Sequence, residues 1–260
     1  MQHFRTQPSA YKPVLGLLSV YIFIYIFAVP MLVFGLVPTW GTWMGGALLV
    51  LQGGIMAWWL VLGAGRRGAL AAAVIALGGW AIEYVGVQTG WPFGRYVYTE
   101  VLGWKLGAVP LPIPFAWLLV VPAALGVAAW LVRGWWRVPV AAGLALALDV
   151  LIEPTAAHVV GYWQWQSSGP YYGIPTSNFI AWGSTALVLA AATVAITRPA
   201  HLERWPLPWL PRLLFVCNFL QFALVDAAYN YGAAAFPLLG ALILVLGLAW
   251  RRAMRPHATT

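Results

Sequence analysis

Along the chain, long apolar runs alternate with short polar or Gly- and Pro-rich breaks, and each run has the length of a bilayer crossing. A spanning helix needs about 20 predominantly apolar residues. Eight stretches meet that requirement: Val14–Val37, Met44–Gly63, Ala69–Val87, Ile113–Val132, Val138–His158, Asn178–Thr197, Leu213–Tyr231 and Ala233–Trp250. Pro30 lies inside the first and Pro122 inside the fourth, which membrane helices tolerate because neighbours re-satisfy the freed backbone groups. The seventh is the most interrupted, by Asn218, Gln221, Asp226 and Asn230, and only a short Gly-Ala turn separates it from the eighth. The first run is longer than a signal-peptide core and no small-x-small site follows it, so it is expected to be retained as a helix. The pattern predicts an all-α polytopic membrane protein. It reads as one helical domain over residues 1–260, about eight spans, with two long loops at 88–112 and 159–177.

Composition agrees with lipid as the solvent. Hydrophobic residues make up 62% of the chain and charged residues 8%, against about 25% charged in soluble domains. A cytosolic globular enzyme is excluded. The net charge of +8 comes from 14 basic residues against 6 acids, with no basic stripe, so nucleic acid is not an expected partner. The basic residues are strongly segregated. Arg5, Lys12, Arg66, Arg67, Arg133, Arg137, Arg198, Arg204, Arg212, Arg251, Arg252 and Arg255 fall on one side of the eight-span frame, and only Arg95 and Lys105 fall on the other. This predicts both termini in the cytoplasm and a multi-pass protein of the cell inner membrane. The single cysteine, Cys217, excludes an intrachain disulfide. His3, His158, His201 and His257 have no ligand spacing, and no cofactor motif is present, so neither a metal nor another cofactor is expected.

The two long loops read QTGWPFGRYVYTEVLGWKLGAVPLP and VVGYWQWQSSGPYYGIPTS, both on the side away from the basic residues. Their Trp and Tyr suit an interfacial aromatic belt. Their density of Gly, Pro and rings equally suits a structured lid over a cavity.

Of the six acids, Glu100 and Glu203 fall in loops and are expected to be solvated. The other four lie within spans, where ionisable groups are costly and usually functional. Helix rise places Glu83 about 21 Å, Glu153 about 22 Å and Asp226 about 20 Å from the basic side, with Asp149 about one turn deeper. Asp149 and Glu153 are four residues apart and share a helix face. Asn230 lies one turn beyond Asp226, and Trp80 and Tyr84 flank Glu83. No Lys or Arg is predicted at that depth, so at least one carboxyl is expected to hold or share a proton. Glu83, Asp149, Glu153 and Asp226 are therefore the candidate catalytic acids and bases. His158, about 140° around its helix from Glu153, is equally suited to a loop-facing role. Acids, amides and aromatic faces in an apolar surround suit acid–base chemistry on a lipid-dissolved alkene, whose protonation gives a cation that rings and a carboxylate stabilise. The same parts also suit a proton-coupled transporter, although the polar groups cluster in one leaflet.

The blocks EYVGVQTGWPFGRYVYTEVLG with GAVPLPIPFAW (83–117) and LDVLIEPTAAHVVGYWQWQSSGPYYGIPTSNFIAW (148–182) resemble the membrane-integral carotenoid 1,2-hydratases, which include γ-carotene 1′-hydratases and bisanhydrobacterioruberin hydratases. The resemblance covers roughly 70 residues. It implies a cofactor-independent hydro-lyase adding water to the terminal C1=C2 bond of an acyclic ψ-end group, on γ-carotene, lycopene or a bisanhydrobacterioruberin-type substrate. Matching positions are Glu83, Asp149 and Glu153, with Tyr96, Tyr98, Tyr171, Tyr172 and Asn178 in the loop motifs. The chain departs from the family pattern at Glu153-Pro154, where Asp-Pro is expected, and at Ala181, where Gly is expected. Trp80, Tyr84, Trp163 and Trp165 are expected to shape the end-group pocket, with Tyr96, Tyr98, Tyr171, Tyr172, Asn178 and Asn230. Expected partners are the carotenoid, water, membrane lipids and other enzymes of the carotenoid pathway. A related isomerase or cyclase using the same acids is the alternative enzyme.

Overall fold

A computed structural model describes residues 11–199 and 201–254. His3, Arg5, Arg255 and His257 lie outside the described residues. The described residues form a bundle of eight α-helices: α1 (Lys12–Val33), α2 (Met44–Ala64), α3 (Arg66–Thr89), α4 (Ile113–Leu131), α5 (Arg137–Pro154), α6 (Thr176–Thr197), α7 (Leu210–Ala228) and α8 (Ala235–Met254). The first seven are long and apolar enough to cross a membrane, so this is a multi-pass membrane protein. Helix α8 runs from Ala235 to Met254, over the eighth apolar stretch of the sequence, and its described part Ala235–Gly247 is apolar. The seventh, despite its polar residues, is a regular helix, and it ends at Ala228 because Tyr229 and Asn230 leave the helical conformation.

Helix α4 is the axis of the bundle. Residues Trp117 to Ala129 are buried without interruption, because α2, α3, α5 and α7 surround it. A helix apolar all round has no outward face and takes the centre. Helix α1 is the opposite case, with Phe23, Ile26 and Phe27 exposed along its length. Pro30 and Pro122 sit inside α1 and α4 without ending them.

The fifth span changes character at Pro154. The α-helix gives way to a π-helical turn over Thr155–Val160, closed by Gly161 in the left-handed conformation. Proline cannot donate to the carbonyl four residues back, and the Val150 carbonyl instead receives the Tyr171 hydroxyl at 3.0 Å.

The two long loops lie on one face and interlock. Strand β1 (Tyr96–Tyr98) of the first pairs antiparallel with β4 (Trp163–Trp165) of the second, in the register Tyr96↔Trp165, Val97↔Gln164 and Tyr98↔Trp163. Between them in sequence, β2 (Lys105–Leu106) and β3 (Val109–Pro110) form a small hairpin. Thr99 adds a backbone bond to Tyr162 and a hydroxyl bond to Gly161. The loops thus form a built lid, and an aromatic belt alone does not describe them.

On the opposite face, Arg137 is buried and pairs with Glu203 at 3.0 Å, while donating to the Pro199 carbonyl. Glu203 is therefore a structural partner, contrary to the solvated role expected for it. Burial opposes its ionisation, but its own backbone N–H, His201 and Arg137 outweigh that and hold its carboxyl below the ordinary range. Glu100 is solvated as expected and pairs with Lys105 at 2.7 Å.

Candidate active site under the lid

Alternation along a strand sends residues 96 and 98 to one face and 97 to the other. In β1 that face is inward, so two tyrosine hydroxyls point into the bundle while Val97 is exposed. Both meet Glu83 of α3: Tyr96 donates to Glu83 Oε2 at 2.6 Å and Tyr98 at 2.8 Å. The Trp117 indole N–H of α4 donates to Oε1 at 3.2 Å. Strand β4 repeats the device with different chemistry. Trp163 and Trp165 donate their indole N–H groups to Glu153 Oε2 at 3.2 and 3.0 Å. Asn178, in the first turn of α6, donates to Glu153 Oε1 at 2.9 Å. Each carboxyl is buried and held by three donors. Strand pairing sets the two donor sets side by side, with Tyr96 tilted against Trp165 at 5.1 Å and Tyr98 edge-on to Trp163 at 6.0 Å between ring centroids.

The close approach of donors to Glu83 depends on two glycines of α3. A Cβ at Gly79 would lie 2.5 Å from the Trp117 ring, and one at Gly86 would lie 2.6 Å from Phe93 and 3.1 Å from the Tyr96 hydroxyl. Any side chain at either place would push a ring away from the acid.

Glu83 and Glu153 line one cavity of about 530 Å³, together with Tyr96, Tyr98, Trp163, Trp165, Trp117, Trp182 and Asn178. Trp117 and Trp182 stack at 4.1 Å. The lining continues to Phe23 and Phe27 of α1, which are also exposed on the outside of the bundle. An apolar chamber with a few convergent polar groups is the usual form of a small-molecule site, and this one reaches the lipid-facing helix. Burial, followed by the negative charge of Glu83 whenever it is ionised, pushes the Tyr96 and Tyr98 hydroxyls well above their ordinary range, so both remain protonated donors.

Not every acid expected at this depth reaches the chamber. Asp149 and Asp226 are buried but absent from its lining. Asp149 Oδ2 accepts from Asn178 at 3.3 Å, and its Oδ1 has no partner. Asp226 Oδ1 accepts the Thr155 hydroxyl at 2.8 Å, and its Oδ2 has no partner. Among the expected pocket residues, Tyr96, Tyr98, Trp163, Trp165 and Asn178 line the chamber. Trp80 and Tyr84 do not: they stack on each other at 5.3 Å beneath the β2–β3 hairpin, where Trp80 donates to the Leu106 carbonyl. Tyr171 serves the Val150 carbonyl, and the Tyr172 hydroxyl accepts from the Ala233 N–H. Asn230 is an exposed turn residue with positive φ. His158 bonds the Tyr172 carbonyl at 2.8 Å and stacks on Tyr231, a loop-facing role.

The chamber also contains residues that the sequence reading did not assign to it. Trp117 and Trp182 lie in apolar runs and gave no distinguishing signal. Gln52 was visible as an amide inside an otherwise apolar span, and Thr155 as a hydroxyl next to Glu153-Pro154.

A family model described as carotenoid biosynthesis protein matches residues 44–248. A bisanhydrobacterioruberin hydratase of Haloarcula japonica is 34% identical over 133 residues, covering 48% of this chain and 45% of that relative. The match therefore spans less than half the length of that curated relative. No solved structure matches the chain.

Proposed function

The chain belongs to the carotenoid biosynthesis protein family, and on that premise we propose that it is a carotenoid hydratase, adding water across the terminal C1=C2 bond of an acyclic ψ-end group to give a tertiary alcohol. The observation that carries the reading is the pair Glu83 and Glu153, each fastened by three donors and both facing one aromatic chamber that reaches lipid-exposed α1. A polyene is a rod of roughly bilayer length. One end group enters the chamber past Phe23 and Phe27 while the rest stays in lipid.

The partner sets favour different roles for the two acids. Indole and amide N–H groups only donate, so Trp163, Trp165 and Asn178 are suited to a carboxylate at Glu153. Tyrosine hydroxyls both donate and accept, so Tyr96 and Tyr98 accommodate Glu83 with or without its proton. Glu83 then acts as general acid. It transfers a proton to C2, the π pair forms the new C2–H bond, and C1 becomes a tertiary cation. The Glu153 carboxylate and the surrounding ring faces stabilise that cation. Water forms the C1–O bond, and Glu153 takes the released proton. Proton return to Glu83 through water completes the cycle. No cofactor is needed in this scheme. The donor-only partners of Glu153 thus favour Glu83 as the proton donor among the four candidate acids.

The segregation of basic residues supports a cytoplasmic-membrane location with the lid facing outward. The experiment is expression in a bacterium that accumulates lycopene or γ-carotene, with mass analysis of the pigments. A product heavier by one water supports the proposal. An unchanged pigment, with the protein present in the membrane, contradicts it for those substrates, and a rearranged isomer of the same mass supports the isomerase or cyclase alternative.

A further inference from the structure

The chamber has a second polar pole that the carboxyl chemistry leaves unused. Gln52 of α2 and Asn218 and Gln221 of α7 all line it. Gln52 and Asn218 are 5% and 4% exposed, at membrane depth. Asn218 Nδ2 donates to Gln52 Oε1 at 2.6 Å and to the Leu214 carbonyl at 2.8 Å, which uses both of its amide protons. Among the described residues, Gln52 Nε2, Asn218 Oδ1 and the Gln221 amide have no hydrogen-bond partner, yet none is sealed away from the chamber. Unpaired amides in an apolar surround are costly. A small neutral group that both donates and accepts would satisfy them.

We propose that Gln52, Asn218 and Gln221 hold the reacting water. The inference rests on the hydratase reading and adds to it the site of the second substrate. A buried water takes about three hydrogen bonds. The Gln52 N–H group offers a donor, Asn218 Oδ1 an acceptor, and the Gln221 amide either. Glu83 and Glu153 each already accept from three protein donors, so the amides carry the larger unmet hydrogen-bonding capacity, and the water they hold must lie within proton-transfer reach of Glu153. Uncharged amides also leave the acid–base pair unperturbed. The end group of the polyene is a hydrocarbon and cannot satisfy them.

The consequence concerns the fate of the cation. With water at the amide pole, the water oxygen forms the C1–O bond and its proton passes to Glu153. Without it, the cation returns a proton to Glu153 and re-forms an alkene, with no oxygen gained. In D2O that futile cycle leaves deuterium in the unhydrated polyene.

The test uses membranes containing the full chain, supplied with lycopene in D2O, comparing the native protein with the Gln52→Leu/Asn218→Leu double variant. Losing two weak hydrogen bonds to water is expected to lower the hydrated product about tenfold or more, while deuterium in the recovered polyene persists or rises. Asn218→Ser, which keeps a small polar oxygen, should recover part of the product. Hydration at the native level in the double variant overturns the proposal, as does a parallel loss of product and deuterium. If the double variant does not accumulate, Gln52→Met alone carries the same expectation. Native protein giving neither product nor deuterium contradicts the hydratase reading itself, and the water site falls with it.

Discussion

The Tyr171 hydroxyl donates to the Val150 carbonyl at 3.0 Å, the acceptor that a residue with an N–H at position 154 would serve and Pro154 cannot. The second loop thereby repairs the helix break that lies directly beside Glu153. Tyr171→Phe removes the donor and leaves a carbonyl short of a partner in an apolar setting, at a cost of about 1–3 kcal/mol. The expected result is a lower melting temperature in detergent and a fall in kcat with KM little changed. Pro154→Ala restores an N–H at the break, so the double variant Tyr171→Phe/Pro154→Ala should lose less stability than Tyr171→Phe alone. Strict additivity would show that the hydroxyl does not serve this carbonyl.

A methyl at Gly79 is expected to be far more harmful than its size suggests. It would meet the Trp117 ring at 2.5 Å and force the indole away from Glu83. Overpacking of this kind costs about 1–3 kcal/mol, and the acid also loses one of its three donors. Gly143→Ala is the comparison, because an added Cβ there meets open space. Pigment analysis should show product falling for Gly79→Ala and unchanged for Gly143→Ala. Equal behaviour of the two would remove the close approach from the account.

The face opposite the lid should show its own pH dependence. Glu203 is held below the ordinary carboxylate range and compensates buried Arg137. A group with a lowered folded pKa contributes stability above its unfolded value and loses it as pH falls through the folded value. Glu203→Gln should therefore cost about 1–2 kcal/mol near neutral pH, modest because the carboxylate is partly solvated. The difference between native and variant should shrink below the ordinary glutamate value. Thermal melts across that range check it, and a difference that grows toward acid pH would contradict the assignment.

The spans were legible because length and apolarity along a single segment suffice to identify a crossing. Glu83 and Glu153 were legible for the same reason, since helix rise converts residue number into depth. Depth says nothing of azimuth. Asp226 lies close to the right height but points elsewhere, because each residue adds about 100° of rotation and neighbouring helices decide which face meets the chamber, whereas Asp149 shares the Glu153 face and its Asn178 partner but sits a turn deeper. Trp80 and Tyr84 flank Glu83 in sequence but face the β2–β3 hairpin for the same reason. The partners of the acids were only half legible. The alternation in Tyr96-Val97-Tyr98 and Trp163-Gln164-Trp165 is present in the sequence. The pairing of these segments across more than 60 residues is a tertiary fact, and it alone turns four aromatic belt residues into donors for two carboxyls. Trp117 was invisible because, in an apolar run, nothing separates an indole that packs from one that also donates.

The proposed division of the hydration between Glu83 and Glu153 requires both acids. It is tested most directly by supplying H₂¹⁸O to membranes holding the native protein, Glu83→Gln or Glu153→Gln, with lycopene, and reading ¹⁸O in the tertiary alcohol by mass. General acid–base residues contribute about 10²–10⁴-fold. Labelled alcohol is expected from the native protein, with a loss of that order in each variant, both accumulating and folding normally. Labelled alcohol at the native level from both variants would contradict it.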